Sequence, residues 1–181
     1  MKWKVLESEY LYKEEWLTLR KDKCEMPDGT VIPAYYINEY PEWVNAFALT
    51  EDNKVIMVRQ YRHGIGEIGI ELSGGVAEDG EDMEVAVARE LREETGYEFD
   101  KFQYLGKICA NPSTTNNYMH MFLATGGRRV TKQELDDTEE LVVKLYSIEE
   151  VKDLLTENKI VQSLHVNCMF YALHELGELR Y

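Results

Sequence analysis

Cysteine is scarce and badly placed for cross-linking. Cys24, Cys109 and Cys168 are an odd number at wide spacings, with no CxxC pair, which excludes a disulfide framework and a cysteine-based zinc site. They read as buried free thiols of a reducing compartment, the cytoplasm. His63, His120, His165 and His174 form no motif and receive no role. Prolines number four and no segment is compositionally biased or repeated, so wholesale disorder is excluded. No run approaches the roughly 18 to 20 apolar residues of a membrane span. The opening MKWKVLESEYLYKEEW has neither an apolar h-region nor a small-residue cleavage site, so no membrane association and no leader are expected. Cations are in deficit, 20 Lys plus Arg against 34 Asp plus Glu for a net charge of −14. That argues against a protein that coats nucleic acid by releasing phosphate counterions.

What is present is enough for a core: 181 residues, 44% of them apolar, fit one globular domain with a small appendage. From Trp3 to Tyr40 aromatic and β-branched residues dominate. Pro27-Asp28-Gly29 separates the strand-like runs WLTLRKDKCEM and TVIPAYYINEY, which predicts an antiparallel N-terminal element. WVNAFALT and KVIMVRQY follow as strands joined by Glu51-Asp52-Asn53, and EIGIELSGG as a shorter strand running into glycines. Residues 81 to 95 switch to Ala, Glu, Arg and Leu with Gly96 as a stop, which predicts a helix. FDKFQYLGKICA, NYMHMFLATG and ELVVKLYS read as three further strands. SIEEVKDLLTENK and VQSLHVNCMFYALHELGEL read as helices. Many strands, few helices and no regular βα alternation predict an α/β (α+β) fold, a mixed sheet sandwiched by helices, rather than a doubly wound one.

The helix at 81–95 carries an anomaly. On a wheel of 100° per residue, Glu90 and Glu94 fall within roughly 100° of an arc shared with Met83, Val87 and Leu91. A surface helix keeps its acids opposite its buried face, and a carboxylate driven toward a core is costly unless paired or bound to metal. Glu93 adds a third acid near the negative end of the helix dipole. A divalent cation resolves the repulsion, and oxygen-only ligands favour Mg²⁺ or Mn²⁺ over Zn²⁺. A solvated charged face is the plain alternative for a Glu-rich helix.

The spacing decides between them. Gly75 is followed by five residues, Glu81, seven residues, and then Arg89-Glu90-Leu91-Arg92-Glu93-Glu94-Thr95-Gly96-Tyr97. This resembles the Nudix box, GX5EX7REUXEEXGU with U a bulky apolar residue, at every defined position. A chance match is on the order of ~10⁻⁹ per starting position. Tyr97 stands where the family more often has Ile, Leu or Val.

The resemblance implies a Nudix-type α/β/α sandwich from about residue 41 to 181, with the N-terminal β element over 1–40. It implies hydrolysis of a nucleoside diphosphate linked to another group, with Mg²⁺ or Mn²⁺. Carried over to this chain, Glu90, Glu93 and Glu94 are the metal-binding acids and the Gly74 carbonyl a further ligand. Arg89 is the residue that orients the acids, and Glu81 locks the loop to the helix by pairing with Arg89. Gly74 and Gly75 let the loop approach the ion closely.

Outside the box, VRQYRHG followed by IELSGG resembles the ADP-ribose and nucleotide-sugar pyrophosphatase branch, which makes Arg62 a candidate phosphate contact. Pro112 lies where ADP-ribose pyrophosphatases tend to carry a proline, whereas residues 113–117, Ser-Thr-Thr-Asn-Asn, depart from the run expected there. Asp136-Asp137-Thr138-Glu139-Glu140 resembles the loop that supplies a late metal ligand or catalytic base. Glu139 is the leading choice, with Asp137 and Glu140 as alternatives. Tyr36, Tyr40, Trp43 and Tyr61 are candidates for stacking on a nucleobase, and Trp43 is the one selected. The N-terminal element resembles an extension through which such enzymes form homodimers. The expected reaction converts a nucleoside diphosphate sugar to a nucleoside monophosphate and a sugar phosphate. The alternatives are a nucleoside triphosphate, dinucleoside polyphosphate or coenzyme A as substrate, or a ligand sensor without turnover.

Overall fold

The computed structural model describes every residue except Glu15, Asp137, Arg180 and Tyr181. The chain forms two compact units, Met1–Pro41 with Cys109–Tyr118, and Glu42–Ile108 with Met119–Tyr181.

The first unit is a three-stranded antiparallel sheet of β1 (Lys4–Glu14), β2 (Leu17–Glu25) and β3 (Val31–Glu39) in the order β1-β2-β3. The turn expected at Pro27-Asp28-Gly29 joins β2 to β3. Thr30 N–H donates to Asp28 Oδ1 at 2.9 Å, and Gly29 takes φ 86°. β1 is a third strand of the element; every one of its residues is exposed, so alternation does not mark it in the sequence. Asp22 is buried and held by Arg20 and the Ser8 hydroxyl. The 109–118 segment joins this unit through Asn38 N–H to Thr114 O at 2.7 Å and the Tyr35 hydroxyl to Ser113 O at 2.7 Å.

The second unit is a sheet between helices. Its elements are β4 (Trp43–Thr50), β5 (Val55–Arg62), β6 (Glu67–Glu71), β7 (Ser73–Val76), α1 (Met83–Thr95), β8 (Tyr97–Glu98), β9 (Lys101–Ile108), β10 (Met119–Arg129), β11 (Leu141–Tyr146), α2 (Ile148–Thr156) and α3 (Ser163–Glu175). The sheet runs β11-β5-β4-β10-β8, with β9 also on β10. β4 and β10 are parallel and the other pairs antiparallel, so the sheet is mixed, as expected.

Alternation along the central strands builds two cores. Phe47, Leu49, Val55, Met57, Met121 and Leu123 face Val151 of α2 and Leu164, Met169 and Leu173 of α3. Ala46, Ala48, Ile56, Phe122 and Ala124 face Ala86, Val87 and Leu91 of α1. Both faces are therefore covered, which is the expected α/β/α sandwich. Among the described residues no helix is long and apolar enough to cross a membrane.

One expectation changes. The run EIGIELSGG is not one strand: β6 pairs with β5 through Glu71, and β7 pairs with β4 from Ser73. β4 and β5 pair with each other only at Ala48–Leu49. They diverge beyond that point, and the chain crosses from one to the other at Leu72.

Candidate active site

The site begins with the ends of α1. Asp82 caps the helix, its Oδ1 accepting from Glu84 N–H at 2.9 Å. Gly96 ends it in the left-handed region at φ 77° and donates its N–H to Arg92 O. Between these stops the acids take their places by helical spacing. Glu94 turns inward and is only 6% exposed, Glu90 is half-buried, and Glu93 is more open.

Arg89 organises the loop and the helix together. Its Nε and Nη2 donate to the two oxygens of Glu81 at 3.1 and 3.0 Å, and Nη2 also reaches Val76 O at 3.0 Å. Nη1 donates to Glu90 Oε1 at 2.9 Å and Glu93 Oε2 at 3.1 Å. This fork ties three carboxylates and a loop carbonyl to one guanidinium, geometry that a lysine does not reproduce. Its charge and hydrogen bonds hold Glu81 below the usual carboxylate range.

The glycine loop lies against those acids. Gly74 N–H donates to Glu94 Oε2 at 3.0 Å. A Cβ at Gly75 would meet Glu90 Oε2 at 2.5 Å, and one at Gly74 would strike the β4 backbone. Gly74 therefore requires glycine, and at Gly75 a side chain would displace the Glu90 carboxylate.

Burial raises the Glu94 carboxyl to about 8, with the charges of Glu90 and Glu139 adding to it against the Gly74 N–H. Burial also raises Glu90, with Arg89 opposing and Glu93 and Glu139 adding. Among the described residues no three acidic, histidine or cysteine side chains stand at ready-made metal-ligand geometry; Arg89 takes an oxygen each of Glu90 and Glu93. The donor set nevertheless suits a hard divalent cation. It is all oxygen, partly buried and mutually repelling, and a cation would relieve the cost of ionising Glu94.

Arg62 stands at the rim. It grips Glu71 through Nε at 3.1 and 3.2 Å and Nη2 at 2.7 Å. Glu71 is 1% exposed, whereas the Arg62 side chain is 47% exposed. Its hydrogen bonds to Glu71 raise the guanidinium pKa, and Glu71, Glu94 and Glu139 add by charge. Arg62 therefore shares an electrostatic field with the acids and keeps an open edge.

Among the loop acids, Glu139 acts on Glu90, Glu94 and Arg62. Glu140 is exposed and lines an open groove with Arg59, Tyr61, Ile68 and Val142. Asp137 lies outside the described residues. Trp43 packs against the large-residue core at the start of β4, Tyr61 is exposed at the end of β5, and Tyr36 and Tyr40 belong to the first unit.

Two polar residues went unremarked in the sequence, and a third, His165, received no role there. Glu71 had a signal, an acid between Ile70 and Leu72 in a strand otherwise apolar there. Gln133 had none; its Nε2 donates to Glu94 O at 2.7 Å and Leu141 O at 3.4 Å. His165 likewise had none, yet its Nδ1 accepts from Leu72 N–H at 2.9 Å.

Comparison with known proteins agrees with this layout. A family model described as the NUDIX domain matches residues 40–164, and one described as the nucleoside diphosphate sugar hydrolase N-terminal domain matches residues 3–38. The chain is 28% identical to a methanol dehydrogenase activator of Bacillus methanolicus, over 93% of this chain and 91% of that one. It is 28% identical to an ADP-ribose pyrophosphatase of Bacillus subtilis, over 87% and 85%. A crystal structure of an ADP compounds hydrolase superposes with a TM-score of 0.85 at 23% identity, covering 99% of this chain and 98% of that one.

Proposed function

Because this chain belongs to the Nudix family, we propose that it hydrolyses the diphosphate linkage of a nucleoside diphosphate sugar, of the ADP-ribose or nucleoside diphosphate hexose type. The products are a nucleoside monophosphate and a sugar phosphate. The observation that carries the reading is the placement of Glu90 and Glu94 against Gly75 and Gly74, with Glu93 joined to Glu90 through Arg89, and with Glu139 and a half-exposed Arg62 in the same electrostatic field. The match of residues 3–38 to a nucleoside diphosphate sugar hydrolase domain supports the substrate class, as do the relatives named ADP-ribose pyrophosphatase.

The residues divide the work. Glu90, Glu93, Glu94 and the Gly74 carbonyl would hold Mg²⁺, with Mn²⁺ as a substitute, and an ion held there would offset the charge of the diphosphate and favour ionisation of water. Arg89 aligns the acids and Arg62 binds a phosphate oxygen. Glu139 takes a proton from the attacking water as its oxygen bonds to phosphorus and the bridging P–O bond breaks. Trp43 contacts the nucleobase. Residues 1–40 form a dimerisation element and 41–181 the hydrolase domain; the open apolar residues of β1 support a homodimer. Free Cys24, Cys109 and Cys168 support a cytoplasmic protein.

The test is a product assay with Mg²⁺ across ADP-ribose, GDP-mannose, UDP-glucose, ADP-glucose, ATP, diadenosine polyphosphates and coenzyme A. A nucleoside monophosphate released from one sugar nucleotide, and not by the Glu94→Gln variant, is the expected result. Turnover confined to the other compounds moves the substrate class, and silence throughout favours a sensor. Trp43→Leu is expected to change the preference among bases, and light scattering in solution reads the dimer.

A further inference from the structure

The crossing at Leu72 creates a problem that a distant residue solves. Glu71 is the last residue paired to β5 and Ser73 the first paired to β4. Leu72 belongs to neither ladder, and its N–H is buried. An unpaired buried amide loses its hydration with no hydrogen bond in return. His165 of α3, 93 positions away, supplies the acceptor: Nδ1 receives Leu72 N–H at 2.9 Å.

That bond fixes the tautomer. With Nδ1 accepting, the ring proton is on Nε2. Nε2 faces Glu71 Oε2 at 4.0 Å, beyond hydrogen-bonding distance, so the neutral ring acts on the carboxylate through its N–H dipole and by packing; Glu71 and His165 are 1% and 5% exposed. Glu71 in turn holds both edges of its carboxylate to Arg62. Space for that carboxylate comes from Gly69, where a Cβ would meet Glu71 Oε1 at 2.9 Å. Burial keeps the imidazole neutral, lowering its pKa to about 4, with Glu71 opposing that shift and Arg62 adding to it. The three groups thus lie within one another's field, in a setting too dry for water to screen them.

We propose that His165 is a positioning residue for the phosphate-binding rim: it pins the strand crossing through Leu72 and orients Glu71, which sets the direction in which Arg62 presents its guanidinium to substrate. This rests on Arg62 contacting the diphosphate. His165 itself touches neither substrate nor the reacting atoms. Its two nitrogens do different jobs. The Leu72 contact serves the fold, and the Glu71 contact serves binding.

The experiment separates those jobs. In the full chain, His165→Asn keeps an acceptor near the Nδ1 position and removes the group facing Glu71; His165→Leu removes both. Melting temperature, kcat and KM are measured on the sugar nucleotide that the parent turns over, beside Arg62→Ala and the Arg62→Ala/His165→Asn double variant. His165→Asn is expected to melt near the parent, raise KM about five- to tenfold and leave kcat within about threefold. The KM effects of His165→Asn and Arg62→Ala are expected to overlap in the double variant instead of multiplying. Parent KM in His165→Asn, or full multiplication in the double variant, overturns the proposal and leaves a structural histidine. Parent KM in Arg62→Ala overturns the prior reading of Arg62, a failure visible without any histidine variant. Should His165→Leu not fold, His165→Asn still decides.

Discussion

The two faces of the sheet in the second unit differ in the bulk of what they present. Toward α1 the central strands set Ala46, Ala48 and Ala124 among Val44, Ile56 and Phe122. Toward α2 and α3 they present Phe47, Met57, Met121 and Leu123. Small residues let α1 settle close to β4 and β7, and that closeness brings Glu90 against Gly75 and Glu94 against the Gly74 N–H. Large residues on the other face exclude water over a wider area. Each face also buries an ionisable group whose charged form burial disfavours, Glu94 on one side and His165 on the other. The difference lies in the remedy. His165 stays neutral and finds a backbone donor, whereas Glu94 sits among acids and is relieved either by taking up a proton or by a bound cation.

The largest effect expected follows from Glu94→Gln. The amide keeps the shape and loses the charge that the cation calls for. kcat/KM on the sugar nucleotide is expected to fall by about 10³-fold or more. With metal chelated, the variant is expected to melt at or above the parent, because it no longer buries an ionisable acid. Mg²⁺ is expected to raise the melting temperature of the parent by binding the native state, and that rise should vanish in the variant. An equal Mg²⁺ response in both proteins would remove Glu94 from the ion site.

Packing gives the next contrast. Leu173→Ala, in the large-residue core, is expected to lower stability by about 2–5 kcal/mol in denaturant titration and to leave kcat/KM within a few-fold where the protein remains folded. Ala46→Leu is expected to cost less stability, about 1–3 kcal/mol, and more activity, since the added bulk pushes α1 away from the glycine loop. Equal activity loss in both would mean that the closeness of α1 does not set the site.

The two buried groups also predict opposite pH slopes in the chelated protein. The folded-state pKa of Glu94 is raised, so its contribution to stability is full below the ordinary value of 4.5 and is lost as pH rises toward about 8. His165 is lowered, so its contribution is full above 6.5 and is lost as pH falls toward about 4. At full titration the Glu94 arm is worth about 5 kcal/mol and the His165 arm about 3 kcal/mol. Stability measured from pH 4 to 9 should lose its alkaline decline in Glu94→Gln and its acid decline in His165→Asn. An unchanged profile in either variant assigns that arm to another group.

The asymmetry of the two faces also explains what the sequence discloses. The acids of α1 are legible because their partners lie in the same 23 residues, where helical spacing converts separation along the chain into direction. The sandwich is legible because alternation in WVNAFALT and the apolar patterns of the C-terminal helices state which residues face inward. β1 is not separately marked, since it has no buried face. The crossing at Leu72 is silent because exchanging one partner strand for another leaves the local pattern of side chains unchanged. His165 is silent for a related reason: its partner lies 93 residues away and is a backbone amide, which carries no residue type to read.

Gln133 offers the smallest effect and the finest test of how the α1 face is completed. The last carbonyls of a helix lack partners within it, and Gln133 Nε2 takes the one at Glu94 while also reaching Leu141 O. Glu134 N–H adds a bond to Glu93 O at 2.8 Å. These contacts fasten the start of the loop bearing Glu139 to the helix bearing Glu90 and Glu94, and tie that start to the far end of the loop at Leu141. Gln133→Ala is expected to lower kcat about tenfold, leave KM nearly unchanged and speed hydrogen exchange of the amides from 134 to 140. Gln133→Glu should lose more, because it sets a carboxylate against two carbonyl oxygens. Faster exchange with an unaltered kcat would keep the fastening and dismiss Glu139 as the base. A slower enzyme with unaltered exchange would show that Gln133 acts by some route other than holding the loop.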